Sequence, residues 1–110
     1  MIVVREISVQ QLQAKLTAGE PVYLLDVRQA WEQTLAALPD SCLIPLDQLP
    51  RRAAEVQSAE GTPVIVYCHH GIRSQTGAAV LESRGFTDVF SLAGGIDAWS
   101  RLIDPRMPRY

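Results

Sequence analysis

The chain has 110 residues, one domain's worth, and its 47% hydrophobic and 20% charged composition supports one packed core and argues against disorder. A net charge of −2 leaves no basic field for nucleic acid. No apolar run approaches the roughly 20 residues that cross a bilayer, and the start, Met1 to Glu6, lacks the pattern of a signal peptide.

Two cysteines, Cys42 and Cys68, are too few for a disulfide framework or a lone zinc site. The expectation is a soluble, cytoplasmic domain without metal or cofactor.

Ile2-Val3-Val4 reads as a short edge strand. Ser8, with Gln11 three residues on, is a capping box that opens a helix through Val9, Leu12 and Leu16, stopped by Gly19 and Pro21. Val22 to Val27 is almost continuously apolar, which suits a strand buried on both faces. A helix from Gln29 to Ala37 ends at Pro39-Asp40. Leu43-Ile44 is a further short strand, and a weak helix follows from Leu46 to Val56. Val64 to Tyr67 is the clearest buried strand in the chain. Ser74 to Arg84 reads as a helix closed by Gly85. Val89 to Leu92 is the last strand, and a short helix follows Gly94-Gly95 through Trp99. The tail from Asp104 to Tyr110 has two prolines and no periodicity, so it is expected to be loosely held outside a domain of residues 1–103. Strands and helices alternate, which predicts an α/β fold with a mostly parallel sheet covered on both faces.

The informative stretch is Val64 to Ser74. Cys68 falls where a buried strand ends, the usual place for sites in open α/β sheets. The loop from Cys68 to Arg73 can curl so that successive N–H groups form an anion-binding nest, and the next helix adds the partial charge of its amino end. Gly71 permits a tight turn, and Arg73 adds a full positive charge. His69 and His70 stand at the mouth, where each is either added positive charge or solvated surface. A lone cysteine is commonly a small core residue. Strand exit, Gly71, Arg73 and helix start together favour a nucleophilic thiolate instead.

At this point the sequence resembles the rhodanese family of sulfurtransferases in its single-domain form. The loop Cys68-His69-His70-Gly71-Ile72-Arg73-Ser74 is similar to that family's C-x-x-G-x-R-S loop. Leu24-Leu25-Asp26-Val27-Arg28 with Glu32 resembles L-x-D-V-R-x-x-x-E, and Ile44-Pro45-Leu46 resembles I-P-L. Gly85-Phe86, Val89 and Leu92 to Trp99 resemble the closing G-F…V…L-x-G-G-x-x-A-W. The stretch from Leu35 to Cys42 departs from the family's G-H-I-P-G-A, keeping only a proline.

The resemblance implies an open, mostly parallel five-stranded sheet flanked by helices on both faces. It also implies that Cys68 takes a sulfane sulfur from a donor such as thiosulfate, holds it as a persulfide, and passes it to cyanide or a thiol. His69, His70, Gly71, Ile72, Arg73 and Ser74 would form the binding loop. Asp26 would hold that loop and Arg28 would make a charged contact nearby. Cys42 would be packing. The implied partners are a small anionic sulfur donor, a thiol or cyanide acceptor, and a persulfide-exchanging protein. Two alternatives stay open: a persulfide carrier or regulatory binding module, and a Cys-dependent phosphatase. The second is disfavoured by loop size, since four residues separate Cys68 from Arg73 where phosphatase loops hold five.

Overall fold

The apolar runs become neighbours in one sheet. In the computed structural model, which describes residues 3–110, β1 (Arg5–Ile7), β2 (Tyr23–Asp26), β3 (Cys42–Leu43), β4 (Val64–Tyr67) and β5 (Val89–Leu92) lie in the order β1-β5-β4-β2-β3. Every pairing is parallel. All four residues of central β4 are buried, which is why its sequence is continuously apolar rather than alternating.

Five helices cover the sheet: α1 (Val9–Thr17), α2 (Ala30–Leu35), α3 (Leu49–Arg52), α4 (Arg73–Ser83) and α5 (Gly95–Leu102). Ser8 and Gln11 do form the capping box of α1, with both reciprocal bonds present. Strand side chains alternate between faces, so the sheet has two separate cores. Leu24, Ile65 and Tyr67 pack with Leu12, Ile96 and Trp99 on one side. Leu25, Val64, Val66 and Cys68 pack with Leu49, Ala78 and Leu81 on the other. Tyr67 and Cys68, adjacent in sequence, therefore serve opposite faces.

Three local expectations differ. Of the run Ile2-Val3-Val4, Ile2 lies outside the described residues, and strand pairing begins only at Arg5. The helix foreseen from Leu46 to Val56 is a single turn, α3, with Pro50 in it, followed by a 3-10 turn at Ala53–Glu55. Proline suits a first turn but cannot propagate a long helix past it. The third difference is the tail. Met107 and Tyr110 pack onto the Trp99 core, Ser100 Oγ donates to the Met107 carbonyl at 2.6 Å, and Arg109 pairs with Asp97 at 3.1 Å. The segment 104–110 is tied down rather than loosely held, because it carries side chains that find partners on the domain. No helix among the described residues is long and apolar enough to cross a membrane.

Candidate functional site

Cys68 leaves the carboxyl end of β4 fully buried, at 1% exposure. Its Sγ accepts hydrogen bonds from the Gly71 N–H at 3.2 Å and the Ser74 N–H at 3.3 Å. The Ser74 hydroxyl lies 3.5 Å from the sulfur and 2.7 Å from the Ser91 hydroxyl. The expected nest is thus built from the loop's own amides, the second of them in the first turn of α4. Amide donors aimed at sulfur favour negative charge on it.

Two glycines make this curl possible. Gly71 has φ +99°, and a Cβ there would meet the Gly94 nitrogen at 3.0 Å. Gly95 has φ +61°, and a Cβ there would lie 2.5 Å from the carbonyl oxygens of both Cys68 and His69. Those carbonyls are held by the first amides of α5, from Ile96 at 2.9 Å and Asp97 at 3.0 Å. The G-G of the sequence is therefore the seat on which the loop rests, and not only a turn.

Arg73, expected to add a positive charge to the loop, is tied to a carboxylate. Its guanidinium grips Glu32 of α2 with two parallel bonds, Nη1 to Oε2 at 2.8 Å and Nη2 to Oε1 at 2.7 Å. Glu32 is buried and also accepts from the Gln29 N–H at 2.9 Å and the Tyr110 hydroxyl at 2.9 Å. The Arg73 bonds, aided by these two and opposed by burial, bring the Glu32 carboxyl from an ordinary 4.5 down to about 2. A carboxyl lowered on folding stabilises the fold above its unfolded value, and that contribution is lost as pH falls through the folded one. Stability is therefore expected to decline between about pH 4.5 and 2, at up to about 1.4 kcal/mol per pH unit from this group. Urea unfolding across that window should show the decline, and Glu32→Gln should flatten it. An unchanged slope in the variant would remove Glu32 from the account.

Asp26 does not hold the loop. Both its oxygens face Arg28, which donates from Nε to Oδ1 and from Nη2 to Oδ2, each at 2.8 Å. Both side chains are completely buried. The Tyr67 hydroxyl donates to Asp26 Oδ2 at 3.2 Å. Burial, with the Asp26 charge beside it, pushes that hydroxyl up to about 12, so it stays a donor. Arg28 also donates to the Ala36 carbonyl at 2.7 Å and the Tyr110 hydroxyl at 2.8 Å. Asp26 and Tyr67 are paired across β2 and β4 on the face opposite Cys68, so the carboxylate works behind the sheet. Arg28 is a buried brace: its charged contact is with Asp26, and it ties the end of β2 to the end of α2.

His69 and His70 stack on each other, centroids 3.8 Å apart, and His69 stacks on Tyr110 at 3.8 Å. Burial, then the neighbouring His70 charge, lowers the His69 pKa, so His69 adds no positive charge at neutral pH. His69, His70 and Asp97 bring potential ligand atoms within 4.8 Å of one another. The two imidazole planes are 27° apart. Asp97 is already shared by Arg101 and Arg109. The cluster is an aromatic stack with an ion pair beside it.

Cys42, expected as packing, is exposed on β3. It pairs with Leu25, which pairs with Val66, so it stands two strands away from β4 and two residues short of Cys68. Two strand spacings put roughly 10 Å between the backbones, beyond disulfide reach.

Cys68, His69, His70, Ile72 and Arg73 line an open depression of about 290 Å³ at this end of the sheet. Ile72 is 77% exposed and Trp31 of α2 is 61% exposed, the latter edge-on to Tyr110. The sequence had brought forward every loop residue. It gave Glu32 no role beyond its place in a motif, and Tyr110 and Ser91 none at all.

A family model described as a rhodanese-like domain matches residues 8–102, from the cap of α1 to the last residue of α5. The chain belongs to the rhodanese-like domain family. A sulfurtransferase of Allochromatium vinosum is 35% identical over 98 residues, covering 89% of this rhodanese-like domain and 90% of the relative. An adenylyltransferase and sulfurtransferase of Zea mays is 39% identical over 97 residues, 84% of this chain but 21% of that protein. The chain thus spans about a fifth of the maize relative. The crystal structure of a rhodanese-like domain protein from Staphylococcus aureus superposes with a TM-score of 0.80 at 27% identity, covering 97% of this chain and 99% of that one. The five-stranded parallel sheet is the family's fold, and sulfur transfer is the family's general activity.

Proposed function

We propose that this domain transfers a sulfane sulfur through a persulfide on Cys68. The observation that carries the reading is the buried Cys68 sulfur accepting two backbone N–H bonds from its own loop, at 3.2 and 3.3 Å. Attack of the thiolate on a donor's outer sulfur forms the S–S bond, and the donor leaves with the electron pair of the bond that breaks: sulfite from thiosulfate, a thiolate from a persulfide. Attack by cyanide or a thiol on the outer sulfur then returns the Cys68 thiolate. The Gly71 and Ser74 amides stabilise the anion at the start and end of this cycle. No general base is needed once the thiol is ionised. The outer sulfur would extend toward the mouth lined by His70, Ile72 and Arg73. Gly71 shapes the loop, and His69 props it from the side.

Partners of this reading are a small anionic donor, a thiol or cyanide acceptor, or a protein that exchanges persulfide; the exposed Ile72 and Trp31 support the last. The setting is the reducing cytoplasm, where an unpaired thiol persists. A persulfide carrier that serves one partner uses the same loop and the same first step. The four-residue spacing from Cys68 to Arg73 and the involvement of Arg73 with Glu32 both count against phosphate chemistry.

Intact-mass spectrometry under non-reducing conditions tests this. After thiosulfate, or after a glutathione-type persulfide, the chain is expected to gain one sulfur atom that cyanide removes as thiocyanate. Uptake from the persulfide alone would identify a persulfide-fed carrier. Uptake from neither donor would refute the reading.

A further inference from the structure

Tyr110 lies eight residues past the family match, yet its side chain reaches both ends of the Cys68 loop, His69 directly and Arg73 through Glu32. Its ring lies flat on His69, planes 6° apart, and meets Trp31 edge-on at 6.1 Å. Its hydroxyl accepts from Arg28 Nη1 at 2.8 Å and donates to Glu32 Oε1 at 2.9 Å. Glu32 holds Arg73, the residue at which the loop becomes α4. The first residue after the nucleophile is thus fixed by the ring and Arg73, through one carboxylate, by the hydroxyl.

We propose that Tyr110 is a positioning residue for the Cys68 loop. Its hydroxyl oxygen sits between a buried cation and a buried anion. Without it, Arg28 Nη1 faces Glu32 Oε1 across the vacated space, and its remaining contact is the Glu32 carbonyl at 3.5 Å. A guanidinium in that position competes with Arg73 for the same carboxylate. Glu32 then turns toward Arg28, and Arg73 loses the bidentate grip that sets the start of α4 and, with it, the Ser74 amide on the sulfur. The ring acts separately: it closes one side of His69, whose Nε2 is buried without a partner and is held by stacking alone at that atom. Tyr110 therefore keeps two oppositely charged pairs apart and clamps the loop's near side. What the positioned loop does rests on the sulfur-transfer reading; that Tyr110 positions it does not.

The test compares Tyr110→Phe, which keeps the ring, and Tyr110→Ala, which keeps neither feature. Both are made beside a Cys42→Ser parent, so that Cys68 is the one thiol that iodoacetamide can reach. At a temperature where every variant is folded by circular dichroism, the alkylation rate of Tyr110→Phe is expected to fall about fivefold, the scale of one ordinary hydrogen bond. Tyr110→Ala falls further, and if it does not fold the phenylalanine variant decides alone. In sulfur transfer, kcat of Tyr110→Phe falls by a similar factor while KM for the persulfide stays within about twofold. An alkylation rate for Tyr110→Phe equal to the parent's, with only the melting temperature lowered, would reduce Tyr110 to a structural strut and overturn the proposal. A parent that alkylates normally but takes up no sulfur from either donor would overturn the sulfur-transfer reading instead, and the alkylation comparison would still decide the role of Tyr110.

Discussion

Cys68→Ser is expected to take up no sulfur from thiosulfate or a persulfide and to lose at least about 10³-fold in turnover, since a hydroxyl has neither the nucleophilicity of a thiolate nor its low pKa. The substitution is nearly isosteric. Serine would keep the Gly71 and Ser74 amides within reach of its oxygen, and Ser74 and Ser91 already form a hydroxyl pair beside it. The melting temperature should therefore change little while activity disappears. That combination separates loss of the nucleophile from loss of the fold. Residual sulfur uptake by Cys68→Ser would place the acceptor sulfur elsewhere, and Cys42, exposed on β3, would be the one remaining thiol. Mass spectrometry of a Cys42→Ser chain, expected to load sulfur normally, closes that route.

The largest effect on stability is expected at Arg28. Arg28→Met removes a fully buried guanidinium and leaves the Asp26 carboxylate buried with the Tyr67 hydroxyl at 3.2 Å and the Arg28 backbone N–H at 3.0 Å as its donors. Breaking one side of a buried ion pair costs roughly 3–5 kcal/mol, because the remaining charge stays desolvated. For a chain of this size that corresponds to a melting temperature lower by about 12 °C or more. The hydrogen bonds from Arg28 to Asp26 and Tyr110 outweigh the burial penalty and raise its pKa, so the guanidinium keeps its charge in spite of burial. The double variant Asp26→Leu with Arg28→Met should recover a large part of the loss, since it removes both buried charges together. Thermal and urea unfolding of the four chains of this cycle measure the coupling. A single variant within about 2 °C of wild type would show that Arg28 is a replaceable brace, below the cost set by desolvation.

These two residues mark different degrees of legibility. Cys68 could be found because its chemistry is local. A β-branched strand, a glycine at the turn and a helix start are all written within eleven residues of chain, and the sulfur's two amide donors come from that same stretch. The buried strands β4 and β5 were also legible to the residue, since a strand covered on both faces is largely apolar. Edge strands carry no such constraint. β1 has two exposed residues of three, and its start was accordingly misplaced toward the more apolar Ile2-Val3-Val4.

Asp26 and Arg28 were visible as residues but not as a role. Two positions apart in sequence, they carry a supporting role near the loop by resemblance alone. Which face of the sheet Asp26 serves depends on the register of β2 against β4, and that register follows from packing on both sides. Glu32 and Tyr110 were further out of reach. They meet across 78 residues of chain, and no local pattern in α2 or in the proline-containing tail announces the partner.

The sequence by itself determined the α/β layering, the central strands and the glycine-dependent loop around Cys68, because each depends on periodicity or on the backbone preferences of neighbouring residues. The tertiary structure alone decided that Arg73 is bound to Glu32, that Asp26 and Arg28 brace the back of the sheet, that His69 is a stacked ring, and that the tail is held in the site. Charges and aromatic rings choose partners by proximity in space, where one short bidentate contact outweighs any preference of the local chain.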